Sequence, residues 1–115
     1  MARHREPASF IPLTPTRYYI LSSLFASPKH GYAIIKDIEA ATDDKVSLGV
    51  PTLYENIKRL LDDGLIEPGG DVTVQGGETR KAYRLSGLGQ SVLALDEGAR
   101  RPVMLRNRRM LRGEA

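Results

Sequence analysis

Residues 48–68 (LGVPTLYENIKRLLDDGLIEP) constrain the fold of this 115-residue chain more than any other stretch. Their apolar side chains recur at helical spacing and would share one face of an α-helix: Leu53, Ile57, Leu60 and Leu61. Four polar side chains project from the opposite side: Thr52, Glu55, Arg59 and Asp62. Pro51 suits the first helical turn, and Gly64 suits a left-handed cap after the last turn. The pattern predicts a helix that packs on a core and offers polar groups to a partner.

An amphipathic helix with a polar outer face is usually only a surface helix. The segments on either side of it are therefore needed to tell whether it binds a partner. Thr14 and Pro15 are typical of a helix start, and they predict a first helix to about Ala26. A second helix is expected from about His30 to Thr42, with four residues on its inner face: Tyr32, Ile35, Ile38 and Ala41. His30 has no second histidine at ligand spacing, so we expect it near a cap or a phosphate and not at a metal.

The pattern changes after the third helix. Residues 65–67 and 81–85 are short strand candidates, and the glycine-rich stretch between them is typical of a hairpin turn. Three short helices followed by a hairpin with basic residues predict a mainly α fold with a small β-hairpin, a winged helix-turn-helix.

Length and composition fit one soluble globular domain, because 41% of the residues are hydrophobic and 27% are charged. No apolar run is long enough for a membrane span and the first residues lack a signal region, so we expect a cytoplasmic protein. The absence of cysteine excludes disulfides and thiol chemistry. The formal net charge is +3, but residues 100–115 hold six arginines against one glutamate, which leaves the first 99 residues at −2. Net charge therefore does not identify the partner.

The C-terminal third predicts one more helix, which Ser86 caps. Its apolar residues repeat at helical spacing and exceed what a closed core needs, which favours packing against a second copy: Leu88, Val92, Leu95 and Ala99. Pro102 should kink or stop this helix.

Taken together, these patterns divide the chain into four parts. We expect a flexible basic arm at residues 1–12, a winged-helix DNA-binding domain at 13–85, a dimerisation helix at 86–101 and an arginine-rich tail at 102–115.

Three strings together resemble the PadR family of transcriptional regulators: HGYAI from His30, TLYENIKRLLDDGLI from Thr52, and RKAYRLSGLGQSVL from Arg80. The resemblance covers about residues 13–97 and implies a winged-helix dimer that contacts its partner copy through the C-terminal helix. It also implies a repressor that a small aromatic or drug-like effector releases. The chain departs from the family in carrying Glu55 where proline usually follows the TLY string, and in having no tryptophan.

A helix in the major groove reads base edges with side chains near its N-terminus. Thr52 and Glu55 would face the bases, with Glu55 suited to accept a hydrogen bond from a cytosine amino group. Asn56 lies nearby and is suited to adenine. A dimer would present two such helices about 34 Å apart, so the operator should be an inverted repeat.

Basic and hydroxyl groups around this helix would bind the DNA backbone. Lys58 and Arg59 are placed for phosphate, and the Tyr54 hydroxyl is suited to donate to a phosphate oxygen. In the hairpin, Arg80 and Lys81 would contact the backbone or the minor groove.

Each assignment has a structural alternative. Arg59 can pair with Asp62 or Asp63, Tyr54 can belong to the core, and Lys81 can be a solvated strand residue. The alternative function is a winged-helix adaptor that binds only proteins, which the negative balance of the first 99 residues favours. An enzyme is not expected, because the chain offers no nucleophile-and-base set, phosphate loop or metal cluster.

Overall fold

The computed structural model describes residues 5–114. A 3-10 helix at Pro7–Phe10 comes first. Four α-helices follow in these positions: α1 (Pro15–Ala26), α2 (Gly31–Ala41), α3 (Val50–Asp62) and α4 (Gly87–Leu111). Three strands form one antiparallel sheet in the order β1-β3-β2: β1 (Lys29–His30), β2 (Ile66–Thr73) and β3 (Thr79–Leu85). The architecture confirms the predicted mainly α fold with a β-hairpin wing.

Side-chain caps fix three of the helix starts, as the sequence indicates. The Thr14 hydroxyl accepts the backbone N–H of Arg17 at the start of α1, and the Ser86 hydroxyl accepts that of Gly89 at 3.0 Å at the start of α4. His30 caps α2, where its Nδ1 accepts the N–H of Ala33 at 3.4 Å. These bonds satisfy helix N–H groups that have no partner within the helix.

The core lies where α1, α2, α3 and the hairpin meet the first turns of α4. Helix α3 contributes Leu53, Ile57 and Leu60 from the predicted apolar face, while Leu61 is half-buried. The inner face of α2 differs from the prediction: its buried side chains are Ile34, Ile35 and Ile38. Tyr32 is 54% exposed and Ala41 is exposed, because the buried stripe of α2 is centred on other positions.

The hairpin forms a wing beside the helices. Strand pairing runs from Ile66 with Leu85 to Thr73 with Thr79, with an irregularity between Pro68 and Asp71. At the tip, the Val74 N–H donates to the Glu78 carbonyl at 2.8 Å, and Gly76 and Gly77 have φ values of 93° and 83°. Such left-handed angles favour glycine, so this tight tip depends on the two residues.

The length of α4 and the burial of its apolar residues differ from the prediction. The helix does not stop at Pro102 but continues to Leu111, so residue 101 is not a boundary of secondary structure. Residues around Pro102 are exposed, and water can therefore satisfy the carbonyl that the proline leaves unpaired. Val92 is fully buried in the core of its own chain and Leu88 is half-buried against it, whereas Leu95 and Ala99 are exposed. Val92 is therefore not available to a second copy.

The N-terminal segment contacts the core, as far as it is described. Phe10 and Ile11 pack against the core, and Arg5 Nη1 lies 3.2 Å from Asp63 Oδ1. Apolar side chains and an ion pair thus attach this segment to the rest of the chain, and the flexibility expected of the arm stays a prediction. Residues Arg3 and His4 of the predicted basic arm lie outside the described residues. Within residues 5–114, none of the helices combines the length and the apolar character that a bilayer crossing requires.

Candidate nucleic-acid interface

The outer face of α3 is open to solvent along its length. Six side chains of this helix are predicted to bind DNA. Asn56 is half-buried, and the other five are exposed: Thr52, Tyr54, Glu55, Lys58 and Arg59. The opposite face is the buried stripe that anchors the helix, so burial of one side fixes which groups the other side presents.

Glu55 and Arg59 form an ion pair one turn apart on this face. Arg59 Nη2 lies 3.0 Å from Glu55 Oε1, and both side chains are about two-thirds exposed. The alternative partners suggested for Arg59 were Asp62 and Asp63. Asp63 is instead bound by Arg5 and by Arg17, at 3.2 and 3.3 Å. The pair therefore lies wholly on the exposed face.

Asn56 has a partner inside the helix. Its Nδ2 donates to the backbone carbonyl of Thr52 at 2.8 Å, which turns the amide toward the backbone of α3. A bidentate contact with adenine needs the amide to face outward, so Asn56 would have to change its side-chain orientation to make one.

Tyr54 lies where α3 meets the start of α2 and is 47% exposed. Its ring approaches the backbone of Gly31 so closely that a Cβ at residue 31 would lie 2.6 Å from the Tyr54 hydroxyl oxygen. The absence of a side chain at Gly31 thus allows Tyr54 to pack there. Burial raises the pKa of the neighbouring Tyr83, and the nearby Tyr54 raises it further, so Tyr83 stays neutral at ordinary pH.

The wing presents Arg80 and Lys81 on exposed positions, as predicted. Arg80 Nη2 lies 3.3 Å from Glu78 Oε2, while Arg84 Nε lies 3.0 Å from Glu67 Oε1. Among the described residues, Lys58 and Lys81 take part in no ion pair. Lys58 of α3 and Lys81 of the wing therefore carry charges that no carboxylate pairs with within residues 5–114.

A groove of about 420 Å³ separates the wing from the starts of α2 and α3. Two of the predicted DNA-binding residues, Tyr54 and Arg80, line it. The other lining residues are His30, Tyr32, Ile35, Val50 and Val74. Sequence reasoning assigned Tyr32 to the core and did not single out Val50 or Val74. Tyr32 is exposed, and Lys36 Nζ lies 5.3 Å from the centre of its ring. Nothing in the sequence distinguishes it from a tyrosine of the core.

The C-terminal half of α4 extends beyond the core of the chain. Every residue from 101 to 114 is exposed, including five large apolar side chains: Val103, Met104, Leu105, Met110 and Leu111. An apolar groove of about 370 Å³ runs beside this part of the helix, lined by residues that include Ile11, Ala99 and Val103. This amount of exposed apolar surface on one helix is typical of an interaction site.

Comparisons with known proteins agree on one family. The family model described as "Transcriptional regulator PadR-like family" matches residues 20–95. No functionally curated protein matches the sequence significantly.

Solved structures with the same fold include regulators of this type. A PadR family transcription regulator of Clostridium difficile is 24% identical, with 85% of this chain and 99% of that chain covered and a TM-score of 0.69. A PadR-like transcription factor of Bacteroides fragilis is 26% identical, with coverage of 82% and 87% and a TM-score of 0.65. Bacillus subtilis PadR, solved in complex with operator DNA, is 24% identical over 72% of this chain and 46% of its own, with a TM-score of 0.61.

Proposed function

Since this chain belongs to the PadR-like family of transcriptional regulators, we propose that it represses transcription as a homodimer on an inverted-repeat operator. The family consists of transcriptional regulators and not of enzymes. A regulator of this kind acts at the chromosome, so the proposal places the protein in the cytoplasm. The observation that carries it is the exposed polar face of α3 next to a wing that presents cations.

The exposed face of α3 is suited to the major groove of DNA. A major groove is about 12 Å wide and admits one helix, whose N-terminal side chains reach the base edges. In this arrangement Thr52 and Glu55 face the bases and Lys58 lies toward the phosphates, while Arg59, which the sequence assigns to phosphate, is held beside Glu55 by their ion pair. Support comes from the burial of the opposite side of the helix, which leaves only this face for a partner.

The groove between α3 and the wing is suited to the DNA backbone. Tyr54 offers a hydroxyl donor there and Arg80 a guanidinium, two groups that commonly bind phosphate oxygens. Lys81 follows Arg80 in β3 and does not line this groove, because successive side chains of a strand point to opposite faces; it would add a cation for the backbone or the minor groove from the other face of the wing. His30 and Tyr32 border the same groove and extend the proposed contact surface to the start of α2.

The homodimer is proposed to form through α4. Leu95 and Ala99 are the predicted contact residues that remain exposed, and the apolar side chains beyond Pro102 lengthen the stripe. Two α3 helices related by a two-fold axis would read half-sites about 34 Å apart.

A cleft between α1 and α4 supports release by a small-molecule effector. Its volume is about 470 Å³, and its lining includes Tyr18, Glu97, Arg100, Arg101 and Met104. An aromatic ring, an apolar side chain and groups of both charges together suit a small aromatic compound with polar substituents. Such a compound would be expected to change the attachment of α4 and thereby the spacing of the two α3 helices.

The proposal is tested by recovering the DNA fragments that the protein binds from sheared genomic DNA, and by footprinting the strongest of them. We expect a protected site made of two inverted half-sites and a dimer by light scattering. A single unrepeated half-site would contradict the dimer. The protein-only adaptor, which the net charge of −2 over the first 99 residues favours, would bind neither random duplex nor heparin at low salt.

A further inference from the structure

We propose that Glu55 and Arg59 act as one unit that reads a C·G base pair in the major groove, with the carboxylate on cytosine and the guanidinium on guanine. The inference rests on the proposed function and names the base pair that this part of α3 selects.

The first observation is a negative charge on a face that should meet polyanionic DNA. Glu55 is in the second turn of α3, exposed and directed away from the core. Near phosphates a carboxylate is repelled, and hydrogen-bond donors of the DNA would offset that repulsion together with the paired Arg59. In the major groove those donors are the amino groups of cytosine and adenine.

The second observation is the geometry of the pair. Arg59 Nη2 and Glu55 Oε1 lie 3.0 Å apart, so an acceptor and a set of donors are presented side by side. The second carboxylate oxygen of Glu55 remains for the DNA. A guanidinium has five N–H donors, and the contact with Glu55 leaves Nε and Nη1 of Arg59 available.

The major-groove edge of a C·G pair matches this arrangement. Guanine presents two adjacent acceptors, N7 and O6, and the cytosine N4 donor lies next to them. An A·T pair places its donor between two acceptors and adds the thymine methyl group, so a fork with a neighbouring carboxylate fits it less well. An A·T preference is therefore an outcome that would overturn the assignment.

The ion pair has no evident role in stabilising the fold. Both of its members are about two-thirds exposed, and exposed pairs at this helical spacing add little to stability. Substitutions at residue 55 should therefore leave α3 folded, which permits a test on the full chain.

The test is selection from a library of duplexes with a randomised 24-base-pair region, performed with the wild type, Glu55→Gln, Glu55→Ala and Arg59→Ala. We expect wild-type motifs to contain one C·G pair at the same place in each half-site. Glu55→Ala and Arg59→Ala should reduce the preference at that place by about tenfold or more and leave the other positions unchanged. Glu55→Gln should relax it, because an amide can also donate.

Asp62→Asn is the matched control, since it removes an exposed carboxylate from the same side of α3, about two turns after Glu55. It should shift affinity for all duplexes together without altering the motif. If the Glu55 variants behave in the same way, Glu55 only repels phosphate and the inference is wrong while the proposed function stands. If the wild type enriches no sequence, the proposed function fails and the inference fails with it.

Discussion

The buried carboxylate of Asp96 accepts a hydrogen bond from the backbone N–H of Leu13 at 2.9 Å, although 83 residues separate the two in the chain. Arg100 Nε lies 2.6 Å from the other carboxylate oxygen, and Arg100 Nη2 donates to the Leu13 carbonyl at 2.9 Å. Two side chains of α4 thus satisfy both backbone groups of Leu13. The contact fixes α4, the proposed dimer helix, to the segment that leads into α1.

Asp96→Ala should destabilise the fold by about 2–4 kcal/mol, because it leaves a buried N–H and part of a guanidinium without partners. Asp96→Asn should cost less, about 1 kcal/mol, since an amide oxygen can still accept from Leu13. The measurement is the urea midpoint at one fixed protein concentration, because a dimer's stability depends on concentration. Gln90→Ala changes an exposed residue of the same helix and should stay within about 0.5 kcal/mol of the wild type.

Gly31→Ala should reduce DNA affinity at a modest loss of stability, because the added Cβ would also lie 3.2 Å from the side chain of the buried Leu53. A Cβ at this position would lie 2.6 Å from the Tyr54 hydroxyl oxygen, and the half-exposed ring can move outward to avoid it. Displacing the phenol from the groove should lower affinity about as much as Tyr54→Phe does, roughly threefold to tenfold for one lost hydrogen bond.

Gly87→Ala is the matched control for that experiment. Gly87 is the first residue of α4 as Gly31 is of α2, but nothing lies within 4 Å of an added Cβ. It should keep wild-type affinity. Equal affinities for Gly31→Ala and the wild type would remove Tyr54 from the proposed DNA contacts.

The sequence predicts the third helix and the presence of the wing well because their signals are local, but β2 extends to Thr73 through residues 68–71, which the sequence assigns to the turn. The apolar spacing of α3, the left-handed Gly64 after it and the glycine-rich hairpin tip depend on neighbouring residues alone. For the same reason, all of the α3 residues predicted to bind DNA except Asn56 are exposed as expected. Whether those residues bind DNA stays a prediction.

What the sequence does not reveal depends on contacts between distant segments. Strand β1 has two residues, too few for any periodicity, and exists because Lys29 and His30 pair with β3. The apolar stripe of α4 indicates burial but not by which partner: Val92 turned out to meet the core of its own chain, and Leu95 is exposed. The choice of Glu55 as the partner of Arg59 likewise depends on side-chain conformation, which spacing alone leaves open.

Glu39 should make the stability of the fold depend on pH in mild acid. The Ser47 hydroxyl donates to Glu39 Oε2 at 2.7 Å, and this bond, with a further one from Lys36, lowers the pKa of Glu39 below its ordinary value of 4.5. A lowered folded pKa gives a stabilisation that is present above pH 4.5 and is lost as the pH falls through the folded value.

The measurement is the free energy of unfolding of the wild type and Glu39→Gln as the pH is lowered from neutral. The two curves should converge as the pH drops below 4.5. Ser47→Ala removes the main cause of the shift and should reduce the convergence. Curves that stay parallel over the whole range would contradict this account of the bond between α2 and the connector at residues 42–49.

Lys58→Ala should weaken binding to every DNA sequence alike and make it less sensitive to salt. Lys58 is exposed on α3 and takes part in no ion pair within residues 5–114, so its charge is available to a phosphate. Each neutralised phosphate contributes about 0.9 to the slope of log affinity against log salt concentration, so the slope should fall by about one unit per subunit bound. Lys45→Ala, which removes an exposed lysine from the connector before α3, controls for net charge and should change the slope less. If both variants gave the same slope, Lys58 would act only through the general field of the protein and would not contact a phosphate.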